Sequence, residues 1–254
     1  MTRLETFPAI PHDGVVSLWE SPDVAGMRTS YESGVLRRAD LAATPLEQFR
    51  RWLADAVAAG LPEPNAMVLA TAAPHRDEDG PWRGLADMEL TSRVVLLKAA
   101  EGRGLSFFTN YTSRKAAAMR AQPEVSLLFP WFAMERQVSV SGVAEQLSAE
   151  ESAEYFRSRP HGSQVAAWAS RQSEPLAGRE PLESRYTELG AQWPEGSQVP
   201  VPDFWGGYLV RVRSVEFWHG RQSRMHDRLR FVSVTGEPAD LGDERQWQVQ
   251  RYSP

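Results

Sequence analysis

Val215-Glu-Phe-Trp-His-Gly-Arg-Gln-Ser-Arg-Met-His-Asp-Arg228 is the stretch on which the reading of this chain turns. Phe217, Trp218, His219 and His226 bring rings next to the guanidiniums of Arg221, Arg224 and Arg228, and Glu216 and Asp227 are its carboxylates. On an extended segment Arg224, His226 and Arg228 share one face. Such a face offers fixed positive charge, donors for a phosphate or an electron-rich ring, and one group that titrates near neutrality. The run falls where predicted strands at 207–218 and 228–234 meet, and a last strand is predicted at 246–251.

Working back from there, apolar runs predict strands at Ala66–Thr71, Arg93–Lys98, Leu105–Thr109 and Val125–Phe129, and alternation predicts one at Gln137–Leu147. A polar, Gly-rich stretch at 73–92 reads as a long loop. Helices are predicted at 45–59, 113–122, 149–159, 163–171 and 179–192. Thr44 with Glu47 and Ser148 with Glu151 have capping-box spacing, and Phe49, Trp52, Leu53, Ala56 and Val57 form one apolar face. Many short strands and a few helices predict a mainly β, α+β chain, a closed antiparallel barrel with helices packed outside. Residues 1–27, rich in Pro and Gly without a sustained period, read as a mobile arm, and 28–254 as one domain.

Composition narrows the chemistry. A hydrophobic share of 42% and a charged share of 24% are those of an ordinary globular protein. No apolar run approaches the ~20 residues needed to span a bilayer, and the first residues lack a secretion-signal core, so the chain reads as cytoplasmic. With no cysteine there is no disulfide, thiolate nucleophile or iron–sulfur ligand set. His12, His75, His161, His219 and His226 are scattered without metal-site spacing. Redox chemistry would therefore fall to an organic cofactor. A net charge of −5 argues against general nucleic-acid binding. Of 28 basic residues only Lys98 and Lys115 are lysines, and both lie in segments that read as anion sites. Arg114 and Lys115 open a helix, where cations oppose the macrodipole but free amides favour a dianion.

Several blocks carry a resemblance: Arg93–Lys98, Phe107-Phe-Thr-Asn-Tyr-Thr-Ser-Arg-Lys115, Val125-Ser-Leu-Leu-Phe-Pro-Trp131, Glu135-Arg-Gln-Val138, Tyr155-Phe-Arg-Ser-Arg-Pro160, Arg171-Gln-Ser173, Phe204-Trp-Gly-Gly207 and the 215–228 run. In this order they resemble the pyridoxine/pyridoxamine 5′-phosphate oxidase family over some nine-tenths of the chain. The resemblance implies an FMN-binding split β-barrel and a homodimer with flavin at the interface. It also implies oxidation of pyridoxamine and pyridoxine 5′-phosphates to pyridoxal 5′-phosphate, with O2 as acceptor and H2O2 as product. Carried over by motif, the flavin residues are Arg93, Val94, Val95, Leu96, Leu97, Lys98, Phe108, Thr109, Arg114, Lys115, Gln137, Gln172, Ser173, Trp218 and Arg228. The substrate residues are Arg28, Tyr31, Lys98, Tyr155, Arg159, Ser163, Arg224, Met225 and His226, with Arg224 and His226 in the catalytic role. Met225 stands where the family has leucine, and His161-Gly162 replaces its usual Arg-Asp. Two rival readings are a same-fold flavin oxidase of a tricyclic metabolite such as a dihydrophenazine, and a non-catalytic module binding FMN or pyridoxal phosphate. Lys98, Tyr155, Arg159 and Ser163 as a phosphate cage favour the vitamin over the tricycle.

Overall fold

The computed structural model of the chain describes residues 30–31, 34–74 and 88–254. The arm predicted at 1–27, and Arg28 with it, lie outside the described residues, as do 75–87. Nine strands are described: β1 (Ala66–Pro74), β2 (Met88–Leu96), β3 (Ala99–Glu101), β4 (Gly104–Asn110), β5 (Glu124–Trp131), β6 (Arg136–Gln146), β7 (Trp205–His219), β8 (Asp227–Ser233) and β9 (Trp247–Tyr252). The helices are α1 (Pro45–Ala58), α2 (Arg114–Ala121), α3 (Ala149–Ser158), α4 (His161–Ala169) and α5 (Glu180–Gln192).

All strands join one antiparallel sheet in the order β2-β1-β5-β6-β7-β4-β3, with β8 on β7 and β9 on β8. β7 organises it. One edge pairs with β6 over residues 208–219, while the other pairs with β4 over residues 205–210 and with β8 over 214–219. The sheet splits at that change of partner. A register shift between Ser141 and Gly142 on β6 lies beside it and bends the pair.

Inside sit Phe107, Phe129, Phe217, Phe231, Met67, Leu69, Leu127 and Leu229, all essentially without solvent contact, against Phe49 and Trp52 of α1. Truncating one such phenylalanine to alanine costs about 3–5 kcal/mol. A smaller cluster, Phe156, Val165, Val199 and Trp205, joins α3 and α4 to the start of β7.

Local signals explain the helix ends. Thr44 Oγ1 accepts the Glu47 amide at 3.2 Å, and the Ser148–Glu151 capping box closes both ways at 3.1 and 3.0 Å. Val57, expected on the buried face of α1, is 60% exposed. Gln48, on the opposite flank of that face, is buried instead, and its side-chain oxygen accepts the Ala42 amide at 2.9 Å. Helix α3 stops at Ser158, short of the predicted 159, since Pro160 forces Arg159 into an extended conformation. The strand predicted at Arg93–Lys98 runs instead from Met88 to Leu96, taking in the end of the predicted 73–92 loop. Its pattern is inverted: Glu89, Thr91 and Arg93 are half-buried, while Leu90 is 79% and Val94 64% exposed.

Candidate active site

A cavity of about 620 Å³ opens between β2, the end of β4, the start of α2 and the α3–α4 corner. Val94, Val95, Leu96, Lys98, Phe108, Thr109, Lys115, Tyr155, Arg159, Ser163 and Gln172 all line it. Of the other flavin candidates on this side, Leu97 packs into the main core at 5% exposure, while Arg93 and Ser173 adjoin the lining: Arg93 donates to Thr71, and Ser173 accepts the Arg114 amide.

One part of the wall is a cluster of cations. Lys115 Nζ donates to Thr109 Oγ1 at 2.9 Å, Gln172 Oε1 at 2.7 Å and Ser113 Oγ at 3.4 Å. Arg93 donates to Thr71 Oγ1 at 2.7 Å, to Leu69 O at 3.3 Å and to Thr91. These acceptors are all neutral. Burial, and then the charge of Arg93, lower the Lys115 pKa to about 8. Burial, and then Arg114, push Arg93 below the ordinary arginine value. Ser113 does not cap α2 with its side chain, which donates to Asn110 O at 2.7 Å; the Arg114 amide donates to Ser173 Oγ at 3.2 Å. Ser173 reaches that position at a φ of 78°, in the left-handed region.

The other part is aromatic and basic. Phe108 stacks on Tyr155 with centroids 3.9 Å apart and on Trp205 at 5.4 Å. Arg159 lies 4.7 Å over the Trp205 ring, and Lys98 6.0 Å from that of Tyr155. Arg159 Nη1 is buried without a hydrogen-bond partner, and burial lowers the pKa of the guanidinium. A buried unpaired donor is costly, so an acceptor from outside the protein is the natural complement. Tyr155 and Arg159, predicted to share a helix face, both line the cavity, but Arg159 does so from the extended corner after α3.

The remaining candidates gather elsewhere. Gln137 is paired with Trp218 across β6–β7, and Trp218 with Arg228 across β7–β8. Trp218 lies 4.6 Å from the His226 ring, and Tyr31 meets both edge-on at 5.9 and 5.6 Å. Tyr31, Gln137 and Trp218 line a separate cavity of about 440 Å³. Gly220 leaves room for the Tyr31 ring: a Cβ on it would come within 2.8 Å of that ring, so one of the two would have to shift. Arg228 clamps Glu216 through two hydrogen bonds of 2.8 and 3.1 Å.

Arg224, His226 and Arg228 do not share a strand face as expected. Ser223 and Arg224 adopt left-handed φ values of 56° and 60° in a short turn, and β8 begins only at Asp227. Arg224 is exposed and Met225 is 67% exposed. His226 is fixed by the Arg221 amide, which donates to its Nδ1 at 3.1 Å. Below the turn, Asp227 accepts from Arg251 at 2.6 Å, Leu36 N at 3.1 Å and Arg221 at 3.4 Å. Burial alone would raise its pKa, but the Arg251 hydrogen bond and the Leu36 amide hold it below the ordinary value.

Trp205, which floors the first cavity, is not among the candidates the sequence supplies, although it sits in the block Phe204-Trp-Gly-Gly207. Its signal was the glycine pair. A Cβ on Gly206 would clash with Tyr111, and one on Gly207 would come within 2.9 Å of Phe108. Among the described residues no group of His, Cys, Asp or Glu could hold a metal, and no helix is long and apolar enough to cross a membrane.

Family models match over most of the chain: "Pyridoxamine 5′-phosphate oxidase" at residues 53–192, and "Pyridoxine 5′-phosphate oxidase C-terminal dimerisation region" at 205–254. The pyridoxine/pyridoxamine 5′-phosphate oxidase of Thermobifida fusca is 47% identical over 233 residues, covering 91% of this chain and 98% of its own. That of Bordetella avium is 49% identical over 208 residues, covering 82% and 92%. Among solved structures, PhzG of Burkholderia lata 383, in complex with tetrahydrophenazine-1-carboxylic acid, superposes with a TM-score of 0.73 at 29% identity, covering 89% of this chain and all of that one. A pyridoxamine 5′-phosphate oxidase-related, FMN binding protein from Nostoc punctiforme has the same fold, with a TM-score of 0.58 at 14% identity over 81% of this chain and 97% of its own. The dimerisation region spans β7 to β9, which supports a homodimer.

Proposed function

The chain belongs to the pyridoxine/pyridoxamine 5′-phosphate oxidase family, and we propose that it is a cytoplasmic FMN-dependent enzyme making pyridoxal 5′-phosphate. Its substrates are pyridoxine 5′-phosphate and pyridoxamine 5′-phosphate, its electron acceptor is O2 and its second product H2O2. We take residues 28–254 as the single oxidase domain. The observation that carries the reading is the unpaired, buried Arg159 Nη1 in one cavity with Lys98, Tyr155 and Ser163. A phosphate ester gives that donor its acceptor.

The cation cluster fits FMN on the chemistry of its donors. Lys115 Nζ, the Arg93 guanidinium, Thr109 Oγ1 and the first amide of α2 suit a terminal monophosphate. When bound, FMN supplies the two-electron acceptor for the hydrogen leaving C4′ of the substrate. The protein's part is placement. Lys98, Tyr155, Arg159 and Ser163 hold the substrate phosphate away from the reacting carbon. His226 accepts the Arg221 amide at Nδ1, which leaves Nε2 as the nitrogen that can donate. It therefore presents a donor that orients the substrate ring, and Arg224 adds positive charge beside it. Trp218, Tyr31 and Gln137 complete that wall.

These two groups belong to one site only across a dimer. Trp205 and Trp218 stand 13 positions apart on β7, roughly 43 Å along an extended strand. In the proposed homodimer, the cation cavity of one protomer faces the ring wall of its partner, with flavin between them.

Purified protein loaded with FMN should release peroxide with pyridoxine 5′-phosphate and hardly at all with free pyridoxine. Charge-assisted hydrogen bonds of about 1.5–3 kcal/mol put the loss in kcat/KM for Arg159→Ala at roughly 10- to 100-fold for the ester, with free pyridoxine unchanged. Equal turnover of ester and free alcohol by the wild type would sink the cage, and preferential oxidation of a dihydrophenazine would install the tricyclic reading.

A further inference from the structure

Arg114 and Lys115 are consecutive, yet their side chains serve different spaces. Lys115 lines the 620 Å³ cavity, whereas Arg114 lines a separate second cavity of about 600 Å³, together with Glu89, Thr91 and Arg120. There Arg114 forms an ion pair and hydrogen bond with the Glu89 carboxylate. Glu89, Thr91 and Arg93 alternate on the half-buried face of β2, so the carboxylate stands two strand steps from Arg93. Among the described residues Arg93 and Lys115 donate to neutral acceptors, whereas Arg114 pairs with the Glu89 carboxylate.

We propose that Glu89 is a competing counter-ion for the cofactor phosphate: it holds the Arg114 guanidinium out of the cavity, and loading exchanges one anionic partner for the other. This rests on the FMN reading above, and assigns a positioning role to a residue that reading does not use. The pair is exposed, with 60% of the Arg114 and 41% of the Glu89 side chain accessible, so the competition is a tuning effect worth about 2- to 5-fold in affinity. Salt weakens it. Riboflavin, which lacks the phosphate, has nothing for Arg114 to exchange onto.

The test titrates cofactor-stripped full-length protein with FMN and with riboflavin, following flavin fluorescence, at low salt and at ~0.3 M salt. Glu89→Gln keeps the shape of the side chain and removes its charge. Expected is a 2- to 5-fold tighter Kd for FMN at low salt, a smaller gain at high salt, and no change for riboflavin. In the Arg114→Ala background, Glu89→Gln should do nothing, since the competition needs both partners. Weaker FMN binding in Glu89→Gln would mean that the carboxylate aims Arg114 at the phosphate, overturning the proposal. Unchanged FMN affinity, or an equal shift for riboflavin, would overturn it as well while leaving the oxidase reading intact. A wild type that binds no FMN would remove both.

Discussion

Around Lys115 the donors already have acceptors, on strand ends and a helix start backed by the sheet. Around His226 the chain passes through two left-handed residues and leaves Arg224 and Met225 in solvent, held from below by Asp227. The first region holds partly buried cations close to one another at a cost to folding stability, a cost that a bound anion would offset. The second keeps Arg224, Met225 and His226 on a short irregular loop over a rigid base. Anchoring demands fixed charge, and admitting and releasing a flat ring demands a wall that can adjust.

The largest test asks whether the two regions work as one site. Arg159→Ala and Arg224→Ala each damage one region, and each homodimer should be nearly inactive at low substrate. Mixed and re-associated, half of the dimers are hybrids with one intact site of two. Activity should therefore return to about a quarter of wild type. If each site lay within a single protomer, mixing would restore nothing.

Next comes the base of the loop. Asp227→Asn leaves Arg251 and Arg221 without their carboxylate and should cost about 1–3 kcal/mol at neutral pH, read by denaturant titration. The Asp227 pKa is depressed by folding, so its contribution is complete above the unfolded value of about 3.9 and fades as pH falls through the folded one. The gap between wild type and variant should narrow there.

A smaller effect runs in the opposite direction. The pKa of Lys115 falls to about 8 in the folded chain, so its burial is unfavourable below that pH, and stability rises from there to about 10.5 as the folded state stops carrying the cation. In cofactor-free protein at neutral pH, Lys115→Met should gain about 1 kcal/mol after allowance for screening, a rise in Tm of about 2–4 °C, while losing FMN affinity. A destabilised variant would show that the lysine is not under strain. Smallest of all, Met225→Leu should shift stability and substrate turnover by less than about 0.5 kcal/mol, since the side chain is mostly in solvent.

Where the rule that apolar faces turn inward applies, the strands and helices were legible. Val138 and Val140 mark β6, and Ser148 with Glu151 marks α3. β2 broke that rule by half-burying Glu89, Thr91 and Arg93 and exposing Leu90 and Val94, so its first half read as loop, and its polar face is the one that carries the cation cluster. β3, with three residues, is too short for any period to register. The left-handed turn at Ser223 and Arg224 left no trace because neither residue is Gly or Asn. Family resemblance named the chemical groups on both walls, but the separation of those walls is a property of β7's pairing, which composition and periodicity do not encode. Glu89 escaped because a lone carboxylate in a polar stretch has no distinguishing spacing.

β7 also limits how this protein can diverge. With a cavity floor at Trp205 and a ring wall at Trp218, both edges of the strand are committed to partners along almost its whole length. Inserting or deleting one residue would turn every later side chain to the opposite face. Change along β7 is therefore confined to exchange of one side chain for another, with its length held constant, while variation in chain length is left to the connections between elements.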